Sequence, residues 1–271
     1  TRSDSSAASD VYKRQSLCSL RKVNIAMKES DFGFKKYNKE EHSSKVKDVF
    51  NKVANKYDLM NDVMSLGMQR LWKKEFIESI NPSKDENLIF IDLAGGTGDI
   101  TKRILLKYKK NTSVKVIDIN QEMLKEGKNS FKSQDNIDFI CSSGESISIT
   151  DNYADVVTVS FGIRNMTDRE KCLQECHRIL KPGGVFACLE FSLPKDIILR
   201  NLYDAWSYGV IPKFGKLIVG EEKPYKYLID SIRTFPSNEE FNEMVRDAGF
   251  INTSIRQLTG NIVCIYRGVK E

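Results

Sequence analysis

A chain of 271 residues with 40% hydrophobic and 29% charged residues has room for one large α/β domain plus extensions. No apolar run reaches the roughly 18 residues a bilayer-spanning helix needs. The net charge is +5, but residues 1–50 hold 11 Lys and Arg against 7 Asp and Glu, so the rest is nearly neutral and the distribution gives little support to nucleic-acid binding.

Thr1 to Asp10 is rich in Ser, Ala and Asp, lacks periodicity, and reads as disordered. The first fifteen residues also read as a cloning scar, set aside from fold reasoning. Ser16 to Lys28 is basic and free of acids, which fits a mitochondrial transit-peptide remnant or an untargeted tail. Residues 1–30 are therefore taken as an extension to a domain spanning 31–271. From Lys45 onward Val46, Val49, Phe50 and Val53 recur at helical spacing. A second helix is predicted over Gln69 to Ile80, with Leu71, Trp72, Phe76 and Ile77 inward and Pro82 stopping it.

Strands and helices then alternate. Strands are predicted at Leu88–Leu93, Val114–Ile119, Ile137–Cys141, Asp155–Ser160 and Val185–Phe191. Helices are predicted at Gly98–Tyr108, Gln121–Lys128 and Asp168–Leu180. Such alternation gives a parallel sheet covered on both faces. Lys181-Pro182-Gly183-Gly184 reads as a sharp helix-to-strand turn. Ser237 to Glu240 forms a capping box that opens a helix ended by Gly249. Two strands, Thr253–Leu258 and Ile262–Arg267, flank Thr259-Gly260-Asn261 and predict an antiparallel hairpin. Cys141, Cys188 and Cys264 lie in strand-like stretches and read as buried thiols. Cys172, Cys176 and His177 lack a fourth ligand, so no metal site is predicted.

The run Asp92-Leu93-Ala94-Gly95-Gly96-Thr97-Gly98-Asp99 follows the first strand and opens a helix. Glycines there let backbone approach a ligand, and the helix start offers free N–H groups. Asp118 ends the next strand, about 20 residues on, where an acid suits the two hydroxyls of a ribose. Ser142-Ser143-Gly144-Glu145 and Ser160 end the third and fourth strands, so all four features fall on one sheet edge. The third glycine of a dinucleotide fingerprint and the Gly-Lys-Ser/Thr of a P-loop are both absent.

The form Asp-x-Ala-Gly-Gly-x-Gly, the later acid and the terminal hairpin resemble class I S-adenosylmethionine-dependent methyltransferases. A closer resemblance is carried by Phe50 to Asp62, Met64-Ser65-Leu66-Gly67 and Arg70-Leu71-Trp72-Lys73. Ser160 to Asn165, Leu189-Glu190-Phe191-Ser192, Tyr227 to Arg233 and Asp247 to Phe250 extend it. These segments are similar to the ubiquinone/menaquinone biosynthesis C-methyltransferases, over roughly Phe32 to Lys270. Asp31-Phe32-Gly33-Phe34 is similar to the mitochondrial branch that makes coenzyme Q.

The resemblance implies a Rossmann-like fold with a mostly parallel seven-stranded sheet, an N-terminal helical lid (45–81) and an insertion (193–235). It implies methyl transfer from S-adenosylmethionine to a ring carbon of a polyprenylated methoxy-benzoquinol. The implied cofactor residues are Asp92, Gly95, Gly96, Thr97, Gly98, Asp118, Ser143, Gly144 and Ser160. Ring methylation needs a phenolate, its stabilisation and a proton route. Arg164 is assigned to the phenolate and a water held by Arg164 or Asn165 to carrying the proton, with Tyr57 and Asp58 from the lid as further catalytic candidates. A structural Arg164 and helix-end roles for Tyr57 and Asp58 are the competing readings. Gln69 stands where the family usually has His.

The aromatic-rich segment Asn201 to Tyr227 reads as an apolar pocket, a membrane-facing flap or a packed insertion, with Lys213, Lys216 and Lys223 placed to meet anionic lipid. The expected setting is the matrix side of the mitochondrial inner membrane, or the cytoplasm for a bacterial source. Expected partners are a multi-enzyme quinone-synthesis complex and a second copy in a homodimer. Demethylmenaquinol or another small-molecule acceptor, or a non-catalytic subunit, remain the alternatives.

Overall fold

The computed structural model describes residues 65–84, 86–109, 111–213 and 223–271, the short pieces 29–32 and 35–38, and positions 41, 46, 62 and 216. The extension up to residue 28, most of the helix predicted from Lys45, and the candidates Tyr57 and Asp58 lie outside the described residues.

β1 (Glu29–Phe32) and β2 (Lys35–Asn38) pair antiparallel. Their sequences, ESDF and KKYN, carry too little apolar alternation to be read as strands beforehand. α1 (Gln69–Ser79) follows and buries Gln69, Trp72, Lys73, Phe76 and Ile77. Leu71, expected inward, is 56% exposed, because it lies off the stripe formed by 69, 72, 73 and 76.

The main sheet runs in the order β5-β4-β3-β6-β7-β9-β8. Its strands are β3 (Ile89–Leu93), β4 (Ser113–Asp118), β5 (Ile137–Cys141), β6 (Ala154–Ser160), β7 (Leu180–Phe191), β8 (Phe250–Leu258) and β9 (Val263–Lys270). β3 to β7 are mutually parallel, while β9 is antiparallel to both neighbours. This is the seven-stranded architecture implied by the resemblance. The crossovers are α2 (Asp99–Lys107), α3 (Gln121–Ser130) and α4 (Arg169–Ile179). The insertion supplies α5 (Ile197–Gly209) and α6 (Lys223–Arg233), and α7 (Asn238–Asp247) precedes the hairpin.

Alternate residues of the central strands enter two separate cores, as a sheet covered on both faces requires. Phe90, Val116, Val156 and Leu189 pack with Trp72 and Phe76 on one face. Ile91, Val157, Phe186 and Tyr266 pack with Leu173 and Phe241 on the other. Each fully buried large side chain of this kind contributes about 1.5–3 kcal/mol.

Two local features differ from expectation. The Lys181–Gly184 turn falls inside β7, where Ala154 faces Leu180 and Val156 already faces Val185. The four residues bulge outward, and Lys181 Nζ reaches both carboxylate oxygens of Asp155 at 3.1 Å. Cys141 is exposed, because β5 is the edge strand; Cys188 and Cys264 are buried as expected. The N-cap of α3, on which the sequence reading made no assignment, is Asn120, accepting from the N–H groups of Glu122 and Met123.

Candidate active site

The glycine turn links β3 to α2 at the carboxyl edge of the sheet. Gly95 N–H donates to Ile117 O (3.2 Å) and Gly98 N–H to Gly95 O (2.8 Å), which closes the turn against β4. Gly98 sits at φ 85°, and a Cβ there would meet the Phe131 ring at 2.7 Å, so only glycine fits. α3 reaches the turn through Gly127, whose missing Cβ leaves room for the carbonyl oxygens of Gly96 and Thr97.

Two acids serve this turn differently. Asp92 is buried beneath it and accepts from Thr101 N–H (3.1 Å), Thr101 Oγ1 (2.7 Å) and Thr158 Oγ1 (3.1 Å). Burial pushes its carboxyl up to about 6. Asp92 thus braces the turn from below. Asp118 is half-buried at the edge, accepting from Gly96 N–H (3.0 Å) on one oxygen and Asn120 N–H (2.8 Å) on the other. Burial raises its carboxyl to about 6 against these bonds. Each oxygen keeps a lone pair for a further donor.

The other predicted edge residues gather nearby. Ser143 Oγ accepts from Glu145 N–H, and Glu145 in turn accepts from the N–H groups of Thr167 and Asp168. Gly144 is packed inward, where a Cβ would meet Met166 and Cys172 at 3.1–3.2 Å. Ser160 Oγ is buried and has no hydrogen-bond partner among the described residues. A buried hydroxyl left open at a strand end is what a ligand atom would complete. Asp118 and Ser160 together thus fit a nucleoside cofactor.

Beside this edge lies an apolar cavity of about 340 Å³. Trp72 and Gln69 of α1, Phe161 after β6 and Phe191 of β7 line one side. α5 and α6 close the other with residues that include Trp206 and Leu228. No charged side chain lines it among the described residues. Trp72 packs edge-on against Phe161 and Phe191 and donates through Nε1 to Thr259 Oγ1 (2.7 Å). Tyr203 also lines the cavity, and burial pushes its hydroxyl up to about 12.

α1 ties cavity and cleft together, since Lys73 Nζ lies 2.7 Å from Asp99 Oδ2 at the start of α2. The ubiE/COQ5 methyltransferase family model matches residues 37–270. The chain belongs to this family. A ubiquinone/menaquinone biosynthesis C-methyltransferase of Rickettsia bellii is 45% identical, covering 90% of this chain and all of the relative. The mitochondrial 2-methoxy-6-polyprenyl-1,4-benzoquinol methylase of Dictyostelium discoideum is 43% identical, covering 89% of this chain and 86% of the relative. In fold, the chain is similar to an S-adenosylmethionine-dependent methyltransferase of Thermotoga maritima, with TM-score 0.57 at 18% identity over 82% of this chain and 98% of that one. This ubiE/COQ5 chain is accordingly an S-adenosylmethionine-dependent C-methyltransferase.

The catalytic residues expected of a ubiE/COQ5 enzyme are placed unevenly. The Arg164 guanidinium lies 5.4 Å from the ring centroid of Phe191, which lines the cavity. Arg164 is 4% exposed and paired with fully buried Glu190, Nη1 to Oε1 at 2.7 Å, and it also donates to Phe161 O. Glu190 accepts Arg164 N–H as well, so the ion pair fixes the backbone after β6. Arg164 is thus held by an ion pair inside the fold, and its charge still acts on cavity-lining Tyr203. Asn165 Oδ1 accepts from the Tyr227 hydroxyl (2.9 Å), which docks α6 onto the same turn. Gln69 is in the cavity wall and donates to Asp62 Oδ1 (2.8 Å). Arg70 holds the Asp62 carboxyl below its ordinary range. Glu190 was missed by sequence reading, although an acid inside the apolar strand Val185–Phe191 is the signal for a buried charge needing a partner. Thr259 was read only as a turn residue.

Proposed function

We propose that this chain transfers the methyl group of S-adenosylmethionine to a ring carbon of a polyprenylated methoxy-benzoquinol in ubiquinone biosynthesis. The observation that carries the reading is the junction of a polar cleft with a neutral aromatic cavity. Ser160 and Phe161 are successive residues, one at the cleft and one in the cavity wall, and α1 touches both. The names of the relatives from Rickettsia and Dictyostelium support the same substrate class.

In this reading the turn Gly95–Gly98, Asp118, Ser143 and Ser160 hold the cofactor, which supplies an electrophilic methyl when bound. Asp118 accepts the ribose hydroxyls on its remaining lone pairs. Phe161, Phe191 and Trp72 hold the quinol ring near attack distance and keep water off it. The described cavity wall offers no group that is a base near neutral pH, so the ring proton leaves to water on the polar side formed by Ser65, Gln69 and Thr259. Tyr57 and Asp58, which lie outside the described residues, are carried in this proposal as further catalytic candidates.

The reaction is placed at a membrane surface, on the matrix side of the inner membrane for a mitochondrial source and on the cytoplasmic face for a bacterial one. No helix among the described residues is long and apolar enough to cross a membrane. Ile197, Ile198 and Leu202 on α5 are 64–74% exposed, an apolar helix face suited to lipid. Association with other quinone-synthesis enzymes and with a second copy belongs to the same proposal.

The test is methylation of a short-tailed methoxy-benzoquinol by the purified chain, read by mass spectrometry, with demethylmenaquinol in parallel. Methylated benzoquinol that disappears in Asp118→Ala supports the proposal. Preference for the naphthoquinol assigns the other ring, and methylation of neither removes the substrate assignment. Flotation with vesicles tests the membrane placement.

A further inference from the structure

The hairpin turn at the cavity rim uses backbone that its sequence does not favour. Thr259, Gly260 and Asn261 lie in succession at φ 47°, 62° and 75°. Glycine takes this left-handed region freely and asparagine tolerates it, but a β-branched threonine there is an outlier. Such a conformation persists only where the surroundings over-determine it, and it clusters at functional sites.

Here the surroundings are a closed ring of buried side chains. Ser192 Oγ donates to Asn238 Oδ1 (2.6 Å), and Asn238 Nδ2 donates to Asn261 Oδ1 (2.6 Å). Asn261 Nδ2 returns to Ser192 Oγ (3.3 Å) and also reaches Leu193 O (2.7 Å). The Tyr266 hydroxyl and the Cys264 thiol add bonds to the two amide oxygens, at 3.0 and 3.1 Å. The ring joins the end of β7, the first residue of α7 and β9 to the turn. Gly260 packs so closely on α5 that a Cβ would come within 2.3 Å of Leu199 Cδ2. A short hairpin loop needs no such network to close. The network holds Asn261, two residues after Thr259, whose Oγ1 is the acceptor for Trp72 Nε1 in the cavity wall.

We propose that Thr259 and Asn261 are positioning residues for the substrate: the left-handed turn, clamped by the Ser192–Asn238–Asn261 ring, holds Trp72 as a fixed wall of the cavity and thereby sets quinol binding without touching the methyl donor's site. This rests on the cavity being the quinol site. The orientation of the indole against Phe161 and Phe191 depends on one hydrogen bond, and that bond depends on a backbone conformation the ring enforces.

The experiment uses the full chain with Thr259→Val, which removes the acceptor at nearly constant shape, and Thr259→Ser, which keeps it. Asn261→Gly retains the left-handed backbone while deleting a ring member, and it carries the test if Thr259→Val does not fold. Thr259→Val and Asn261→Gly are expected to raise KM for a short-tailed quinol about five- to tenfold, the scale of one hydrogen bond. Thr259→Ser is expected to stay within about twofold, and the calorimetric Kd for S-adenosylmethionine to stay unchanged in all three. An unchanged quinol KM in Thr259→Val, an equal loss of donor affinity, or a Thr259→Ser as impaired as Thr259→Val each overturn the proposal. A second readout needs no turnover. The chain has two tryptophans, so in a Trp206→Phe background the emission reports Trp72 alone. Thr259→Val must change its wavelength or anisotropy; identical emission overturns the positioning role. If the wild type does not methylate the quinol while Trp72 is still released by Thr259→Val, the substrate assignment has failed and the positioning has not.

Discussion

Asp118 carries two opposite dependences on pH. Its carboxyl, held near 6 against an ordinary 3.8, adds stability to the unliganded protein at acid pH and loses that contribution as pH rises through about 6. Donor binding has the reverse sign, because a carboxylate accepts two ribose hydroxyls better than its protonated form. The Kd for S-adenosylmethionine is therefore expected to weaken about tenfold between about pH 7 and 5, one unit below that pKa. Asp118→Asn is expected to bind weakly at both. Calorimetry across the range checks this, and a flat wild-type profile removes Asp118 from the ribose. Arg164 makes a prediction of a different kind. Truncation to Ala leaves Glu190 buried and unpaired, with an expected cost of about 3–5 kcal/mol in urea unfolding. Arg164→Met combined with Glu190→Leu is expected to recover most of that loss. A fully stable single variant argues that the pair does not hold the turn. The pair joins residues 26 positions apart that meet through the β6–β7 register, so the sequence showed an acid inside an apolar strand but not that Arg164 is its partner.

At the scale of elements, α3 shows how a helix can serve a loop. Alanine normally favours a helix over glycine by about 1 kcal/mol. At Gly127, however, a Cβ would lie 2.7 Å from Phe139 Cε1 and 3.1 Å from the Gly96 and Thr97 oxygens. Gly127→Ala is thus expected to push α3 off the turn and weaken donor binding severalfold, as calorimetry would read. Unaltered affinity shows that the helix gives way without moving the loop. Strands such as Ile89–Leu93 and Ala154–Ser160 were legible because their apolar runs enter both cores. β1 and β2 were not, being short and polar. The Lys181–Gly184 break was visible, yet its placement inside a strand depends on Asp155 across the ladder, which no local pattern reveals.

For the molecule as a whole, the cavity sets a scale. At about 340 Å³ it lies at the small end of the roughly 300–1,000 Å³ usual for ligand pockets. It holds a ring and the start of a tail, with exposed Leu66 and Leu202 at its margin. KM is expected to fall with the first one or two prenyl units and then level off in detergent, measured over a series of tail lengths. A continuing fall means that the tail has a longer protein site. The edge of the sheet proposed to hold the cofactor was legible as an edge, because consecutive strands of a parallel sheet bring their ends together. The cavity was not, since α1, the ends of β6 and β7, the insertion and the hairpin turn each contribute a few residues from distant parts of the chain.

The position of β9 between β7 and β8 bears on how the protein is made. Every other strand of this sheet leaves the ribosome before β9 does. Until then β7 presents one open edge, rich in Val185, Phe186, Ala187, Cys188 and Leu189, to whatever the nascent chain encounters. The last strand of the sheet to emerge is an interior one, so a stop before Val263 would not trim a border but withhold the strand that closes the sheet, and the shortened product would be a substrate for chaperones and proteases rather than a slightly weaker enzyme.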